Sequence, residues 1–209
     1  MREYHKAVFG KPPAFEVDVG ARICVFGEHS DYVPWLTPNI ITFSSNEQKM
    51  KARISPRTDN IVKIVSTLEE YDDCTFTIQE IRIEGDWLDT LNSREIPARH
   101  WSNYVKGAVA YLDNKQEIEY GFELLIDSNI PPASGASSSS ALTLCGLAAA
   151  HIANEIPWTP EDLAMMGGEA EWYVGTRGGM MDHATMMFAD EARMIKLEFD
   201  PLEVELVDS

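Results

Sequence analysis

The hydrophobic period of this chain is two over its first third and becomes helical near residue 99, and that change limits the fold more than any other feature. From residue 15 to about residue 79, short runs alternate apolar and polar side chains with the period of two that a half-buried strand requires. The runs at 15–19, 22–26, 40–43, 51–54, 61–66 and 74–79 are predicted strands. From residue 99 to 113 the period becomes helical: Trp101, Tyr104, Val105, Ala108, Val109 and Leu112 fall on one face. A strand at 121–127 and an apolar helix at 138–154 follow. Thr159-Pro160-Glu161-Asp162 then reads as an N-cap with proline in the first helical position, opening a helix to residue 173. A glycine-rich loop at 175–179 leads to a short helix at 182–189, and strands at 193–199 and 203–207 end the pattern. Strands first and helices later predict an α+β domain, a mixed sheet with helices mainly on one face. No repeat or linker divides residues 1–209, so a single domain is expected.

A chain of 209 residues and 23.4 kDa exposes roughly 9,800 Å² folded against roughly 34,000 Å² unfolded, enough burial for a core without covalent staples. Seventeen basic and thirty-four acidic residues leave a net charge of −17. Such a field repels phosphate backbones and anionic membranes, which argues against nucleic-acid or membrane partners. An anionic ligand would need a local device to hold it. Cys24, Cys74 and Cys145 are odd in number and widely spaced, so reduced thiols in a cytoplasm are expected rather than disulfides or zinc. The first residues lack the apolar core of a signal peptide. The apolar stretch at 141–153 contains His151 and is too short to span a bilayer.

Three segments carry chemistry. In the first, PPASGASSSSA at 131–141, four serines precede an apolar helix. Orphan N–H groups and the helix dipole there favour a phosphate. The lysine of the common P-loop is missing. An ordinary serine N-cap is the competing reading. In the second, Gly27-Glu28-His29-Ser30-Asp31-Tyr32 follows a strand and mixes donors with acceptors, as carbohydrate hydroxyls require. Taken alone, those letters read first as a solvated turn, and no second histidine has ligand spacing to His29. In the third, Glu171 and Asp182 flank the glycine loop. Asp182 reads as a helix cap and Glu171 as a surface residue. Beside a phosphate turn, the pair reads as a magnesium ligand and a base for phosphoryl transfer.

Taken together, the segments resemble the superfamily of galactokinase, homoserine kinase, mevalonate kinase and phosphomevalonate kinase (GHMP), nearest to galactokinase. RICVFGEHSDY at 22–32 is similar to that family's PGRVNLIGEHTDY, and residues 131–141 to its VPLGAGLSSSAS. HWSNYVKG at 100–107 is similar to W-x-N-Y-V-K-G, and GTRGGMMD at 175–182 to GTPCGIMD. The motifs stand in the family order over nearly the whole chain. Several positions depart: Cys24 replaces asparagine, Ala136 leucine, Arg177 and Gly178 proline and cysteine, and His183 glutamine. The run at 33–38 is shorter than in galactokinases, and Glu171 lies one residue closer to the glycine turn.

The resemblance implies a GHMP-kinase N-terminal domain at 1–209, with the family's second, C-terminal domain absent and expected as the chain's partner. It implies ATP-dependent transfer of the γ-phosphoryl group to a monosaccharide hydroxyl, giving a sugar 1-phosphate, with Mg²⁺ as cofactor. Asp182 and Arg22 correspond to the catalytic pair, and Glu28, His29 and Asp31 to the sugar contacts. Gly135, Ser137, Ser138, Ser139 and Trp101 correspond to the nucleotide site, and Ser139 and Glu171 to the metal ligands. The fragment alone is expected to be inactive. A non-catalytic sugar- and nucleotide-binding regulator on the same fold, or a kinase for another small alcohol, are the alternatives.

Overall fold

The computed structural model describes residues 1–209 except 29, 32–38, 133, 190–192, 200 and 208–209. Its organising element is β2 (Asn39–Pro56), 18 residues long, paired antiparallel along its length with the 12-residue β1 (Phe15–Phe26). Sequence periodicity predicts two short strands in place of each. The register explains the difference: opposite Gly20 stands Lys49, but opposite Arg22 stands Ser44. Such an irregularity slips the apolar alternation while the strand pairing continues.

The other edge of β2 is shared. Residues 50–56 pair with β5 (Phe122–Ser128) and residues 39–42 with β6 (Met194–Glu198), both antiparallel. β3 (Ile61–Ser66) runs parallel to β5, β4 (Cys74–Thr77) pairs with β3, and β7 (Glu203–Val207) with β6. Among the described residues the seven strands form one mixed sheet, β4-β3-β5-β2-β6-β7 with β1 also on β2. The β3–β5 parallel pair needs a long crossover. It runs through β4, α2 (Ile78–Ile81), α3 (Trp87–Ser93) and α4 (Asn103–Lys115).

α5 (Ser138–Ala153) is buried on nearly every side and lies against β1, β2, β5 and α4. A helix apolar all round belongs in such a place. α6 (Pro160–Ala170) packs on α4 and α5, and α7 (Met181–Phe188) on α6, β1 and β2. The α+β expectation holds. Boundaries differ by more than one residue in three places: α4 spans Asn103–Lys115, Ile78 and Gln79 are helical, and α6 gives way at Glu171 to a 3₁₀ turn (Glu171–Val174).

α1 (Arg2–Phe9), α2 and α3 are not legible as hydrophobic stripes. α1 buries only His5, and the other two are one or two turns long, set by caps at Thr77 and Asp86. The three cysteines are free thiols, and burial pushes the Cys145 thiol up to about 12. Among the described residues no helix is long and apolar enough to cross a membrane.

Candidate active site

Arg22 is brought to the site by β1, and its side chain is 6% exposed. Its Nε donates to Asp182 Oδ1 at 2.6 Å, and its Nη1 to Glu28 Oε1 at 3.0 Å. Burial works against the guanidinium charge, but Asp182 and then Glu28 outweigh it and hold the pKa above its ordinary value. Arg22 is therefore a fixed cation shared by two carboxylates 160 and 6 residues away in sequence.

The serine turn meets the same carboxylate. Ser137 Oγ donates to Asp182 Oδ2 at 2.7 Å, and Ser140 Oγ approaches that oxygen at 3.5 Å. Ser137 occupies the N-cap position of α5 in a left-handed conformation (φ 57°), and its side chain makes no capping bond. Because the Ser137 side chain accepts from none of them, the first amides of α5 lack the acceptor that an N-cap serine ordinarily supplies. This removes the ordinary-cap reading of the turn. The cap reading of Asp182 falls as well, because α7 begins at Met181 and Asp182 lies inside its first turn.

Met180, at the N-cap of α7, provides no side-chain cap. Asp31 supplies one from across the fold: its Oδ2 accepts from the Met181 amide at 3.0 Å. A Cβ on Gly179 would stand 2.1 Å from that oxygen, so this approach needs glycine. The turn after β1 has a similar requirement at Gly27, where φ is +86° and a Cβ would meet the Asn39 carbonyl at 2.8 Å.

Two recesses share Arg22. The larger, about 510 Å³, is lined by Glu28, Trp101, Gly135, Ser137, Ser138 and Ser139. Tyr71 and Tyr104 also line it, and periodicity had marked Tyr104 only as a core position. Trp101 is held by its indole N–H on the Asp72 carbonyl at 2.9 Å. Burial first, and then Glu171, raise the Tyr104 phenol, which stays a hydrogen-bond donor at neutral pH. The smaller recess, about 360 Å³, is lined by Asp31, Glu171, Asp182, His183 and the glycine loop. Glu28 and Asp31 thus line different recesses, as do Ser139 and Glu171. His29 lies outside the described residues.

Glu171 is buried in the 3₁₀ turn. Its Oε1 is 3.5 Å from the Thr143 hydroxyl, which also donates to the Ser139 carbonyl at 3.1 Å. The link from the serine turn to Glu171 therefore runs along one turn of α5. His183 Nε2 is 3.4 Å from the same Glu171 oxygen. Both His183 ring nitrogens are buried without a hydrogen-bond partner among the described residues. Sequence reasoning noted His183 only as a departure from the motif. Among the described residues, no group of three or more His, Cys, Asp or Glu side chains could hold a metal ion.

Residues 103–190 match the family model of the GHMP kinases N terminal domain. The whole chain has a fold similar to that of such domains. It is similar to galactokinases: that of Actinobacillus pleuropneumoniae serotype 3 is 29% identical over 202 residues, covering 94% of this chain and 47% of the relative. The crystal structure of Lactococcus lactis galactokinase complexed with galactose superposes with a TM-score of 0.81 at 28% identity, covering 99% of this chain and 50% of that one. The Methanococcus jannaschii mevalonate kinase shares the fold alone, with a TM-score of 0.66 at 15% identity over 93% of this chain and 56% of that one. The chain spans about half the length of the curated relatives it matches.

Proposed function

We propose that this chain is the N-terminal part of an ATP-dependent sugar kinase that phosphorylates a monosaccharide hydroxyl, giving a sugar 1-phosphate. The observation that carries the reading is the Asp182 carboxylate, gripped by Arg22 on one oxygen and Ser137 on the other. It stands where a phosphate-type turn meets a recess lined by polar groups. The remaining half of the cleft is assigned to a C-terminal domain, in keeping with the length of the relatives.

In this reading the nucleotide enters the larger recess. Its phosphates lie on the uncapped amides of α5 and the hydroxyls of Ser138 and Ser139, and its base lies beside Trp101. The acceptor sugar enters the smaller recess, with Asp31 among its contacts, while Glu28 lines the larger recess and holds Arg22. The oxygen donors of Ser139 and Glu171, a hydroxyl and a carboxylate, suit Mg²⁺, which binds few protein ligands and completes its shell with phosphates and water. When bound, the ion supplies charge neutralisation at the phosphates.

Asp182 accepts the proton of the acceptor hydroxyl as that oxygen forms its bond to the γ-phosphorus and the bond to the departing ADP breaks. Ser137 already donates an O–H to Asp182 Oδ2, the relation the acceptor hydroxyl must take up. Arg22 fixes the carboxylate and offers positive charge beside the transferring group. A guanidinium beside an aspartate lowers its basicity, so orientation and charge stabilisation are the services Arg22 performs.

The test uses the protein expressed from its whole reading frame. ATP consumption is followed across a panel of monosaccharides, with phosphorus NMR locating the phosphate on the product. Turnover with one or a few sugars and a 1-phosphate product is expected. Sugar and nucleotide binding without turnover on any acceptor would leave the regulator in place of the kinase.

A further inference from the structure

The glycine loop borders a further recess, about 220 Å³, which adjoins the smaller of the two that meet at Arg22 and shares Arg177 with it. Arg94 and Arg177 both line it, with Asn92, Ile96 and Trp172. The Arg94 guanidinium lies over the Tyr173 ring at 4.0 Å, and that of Arg177 over the Trp172 ring at 5.2 Å. A guanidinium stacked on a ring is held in plane and keeps its N–H edge for a ligand. Arg94 donates to the Tyr173 carbonyl at 3.4 Å and Arg177 to Asn92 Oδ1 at 2.9 Å. Each guanidinium carries five N–H groups, so most of its donors remain for other partners.

Among the described residues neither arginine has a carboxylate partner, in a chain with a net charge of −17. The Trp172 indole N–H adds to the local excess of donors, being buried without an acceptor. The half-buried Arg94 and the exposed Arg177 bring two cations to one small recess, which favours a ligand made of acceptors. Ile96 and Trp172 leave apolar walls for the part of the ligand that carries the charge.

We propose that this recess binds a phosphate group, free or as a small phosphomonoester. Two planar forks suit a tetrahedral dianion, which accepts several N–H bonds at once, better than a single carboxylate. Arg177 belongs to the loop that also supplies Gly179 and leads into Met181, so a bound phosphate would hold the loop bordering the Asp182 recess. The binding claim is independent of the kinase reading.

The experiment titrates the 209-residue chain, labelled with nitrogen-15, and follows the indole N–H signals. Trp172 is assigned by its loss in Trp172→Phe, and Trp101, beside the larger recess, serves as the internal comparison. The probes are inorganic phosphate, galactose 1-phosphate and galacturonate. The Trp172 signal is expected to move and saturate with the two phosphates and more weakly with the carboxylate. Tighter binding of the ester identifies a phosphomonoester, and equal binding identifies free phosphate. Arg94→Gln and Arg177→Gln should each weaken the Trp172 response about tenfold or more, the worth of a charge-assisted contact. Arg94→Lys and Arg177→Lys, which keep the charge and lose the fork, should give intermediate weakening, with thermal melts confirming that each variant is folded. A Trp172 signal that does not move overturns the proposal. So does an undiminished response in the folded variants, or tighter binding of galacturonate than of either phosphate.

Discussion

The Asp182 carboxylate is held by Arg22 and Ser137, and neither contact is a helix cap. Asp182→Asn keeps the shape of the side chain and an oxygen to accept from Arg22, while Glu28 still holds the guanidinium. The expected outcome is a fall in kcat of about 10²–10⁴-fold, the usual worth of a general base. KM for the sugar should change little. A thermal melt should show a modest loss, because a neutral amide cannot balance Arg22 as the carboxylate does. Wild-type kcat in this variant would remove Asp182 from the chemistry. Ser139→Ala tests the neighbouring assignment. It should weaken the magnesium-dependent part of ATP affinity, read by calorimetry with and without the ion, and leave sugar affinity intact. Loss of sugar binding with normal nucleotide affinity would reverse the roles given to the two recesses.

Among the elements, the packing of α6 on α7 controls the back of the site. A Cβ on Gly167 would stand 2.4 Å from His183 Cδ2, inside a buried contact where the imidazole has little room to yield. Gly167→Ala is expected to destabilise the fold by about 1–3 kcal/mol, the usual cost of overpacking. A helical glycine replaced by alanine would otherwise gain up to about 1 kcal/mol. Urea denaturation therefore decides by sign: a stabilised variant would mean that α6 and α7 move apart freely. The same pair of helices shows why Asp31 was legible as a polar site residue but not as the cap of α7. The cap bond joins residues 150 apart.

For the molecule as a whole, His151 gives a pH dependence with a definite sign. It is buried in α5, and burial lowers its pKa below the ordinary 6.5, although the Ile156 carbonyl and then Asp162 act the other way. The folded state therefore binds fewer protons than the unfolded one at mildly acid pH. Its contribution is fully present above about pH 6.5 and is lost progressively as the pH falls through the lowered folded value. Urea midpoints at pH 7.5 and 5.5 should fall further in the wild type than in His151→Gln. Equal falls would mean that His151 titrates alike in both states. Carboxylates titrate mostly below this window, so the comparison isolates the imidazole.

Local pattern was enough to read the α+β class, the long helices and the segments from which the site is assembled. Alternation, helical stripes, glycine turns and the serine run are properties of neighbours in sequence, and they act before any distant contact forms. The motifs carried Arg22, Glu28, Asp31, the serines, Glu171 and Asp182 onto the page together. They did not reveal that Ser137 bonds Asp182, that Asp31 caps α7, or that Glu28 and Asp31 face different recesses. They also missed α1, α2 and α3, which are too short to persist alone, since a helix that brief forms only against the fold that receives it. The fusion of four short strand signals into β1 and β2 was decided by sheet pairing, whose register slips where the local alternation breaks. The Arg22–Asp182 pair shows the division most clearly. Sequence chose the two charges, but only the packing of α7 against β1 sets them 2.6 Å apart, across 160 residues of chain.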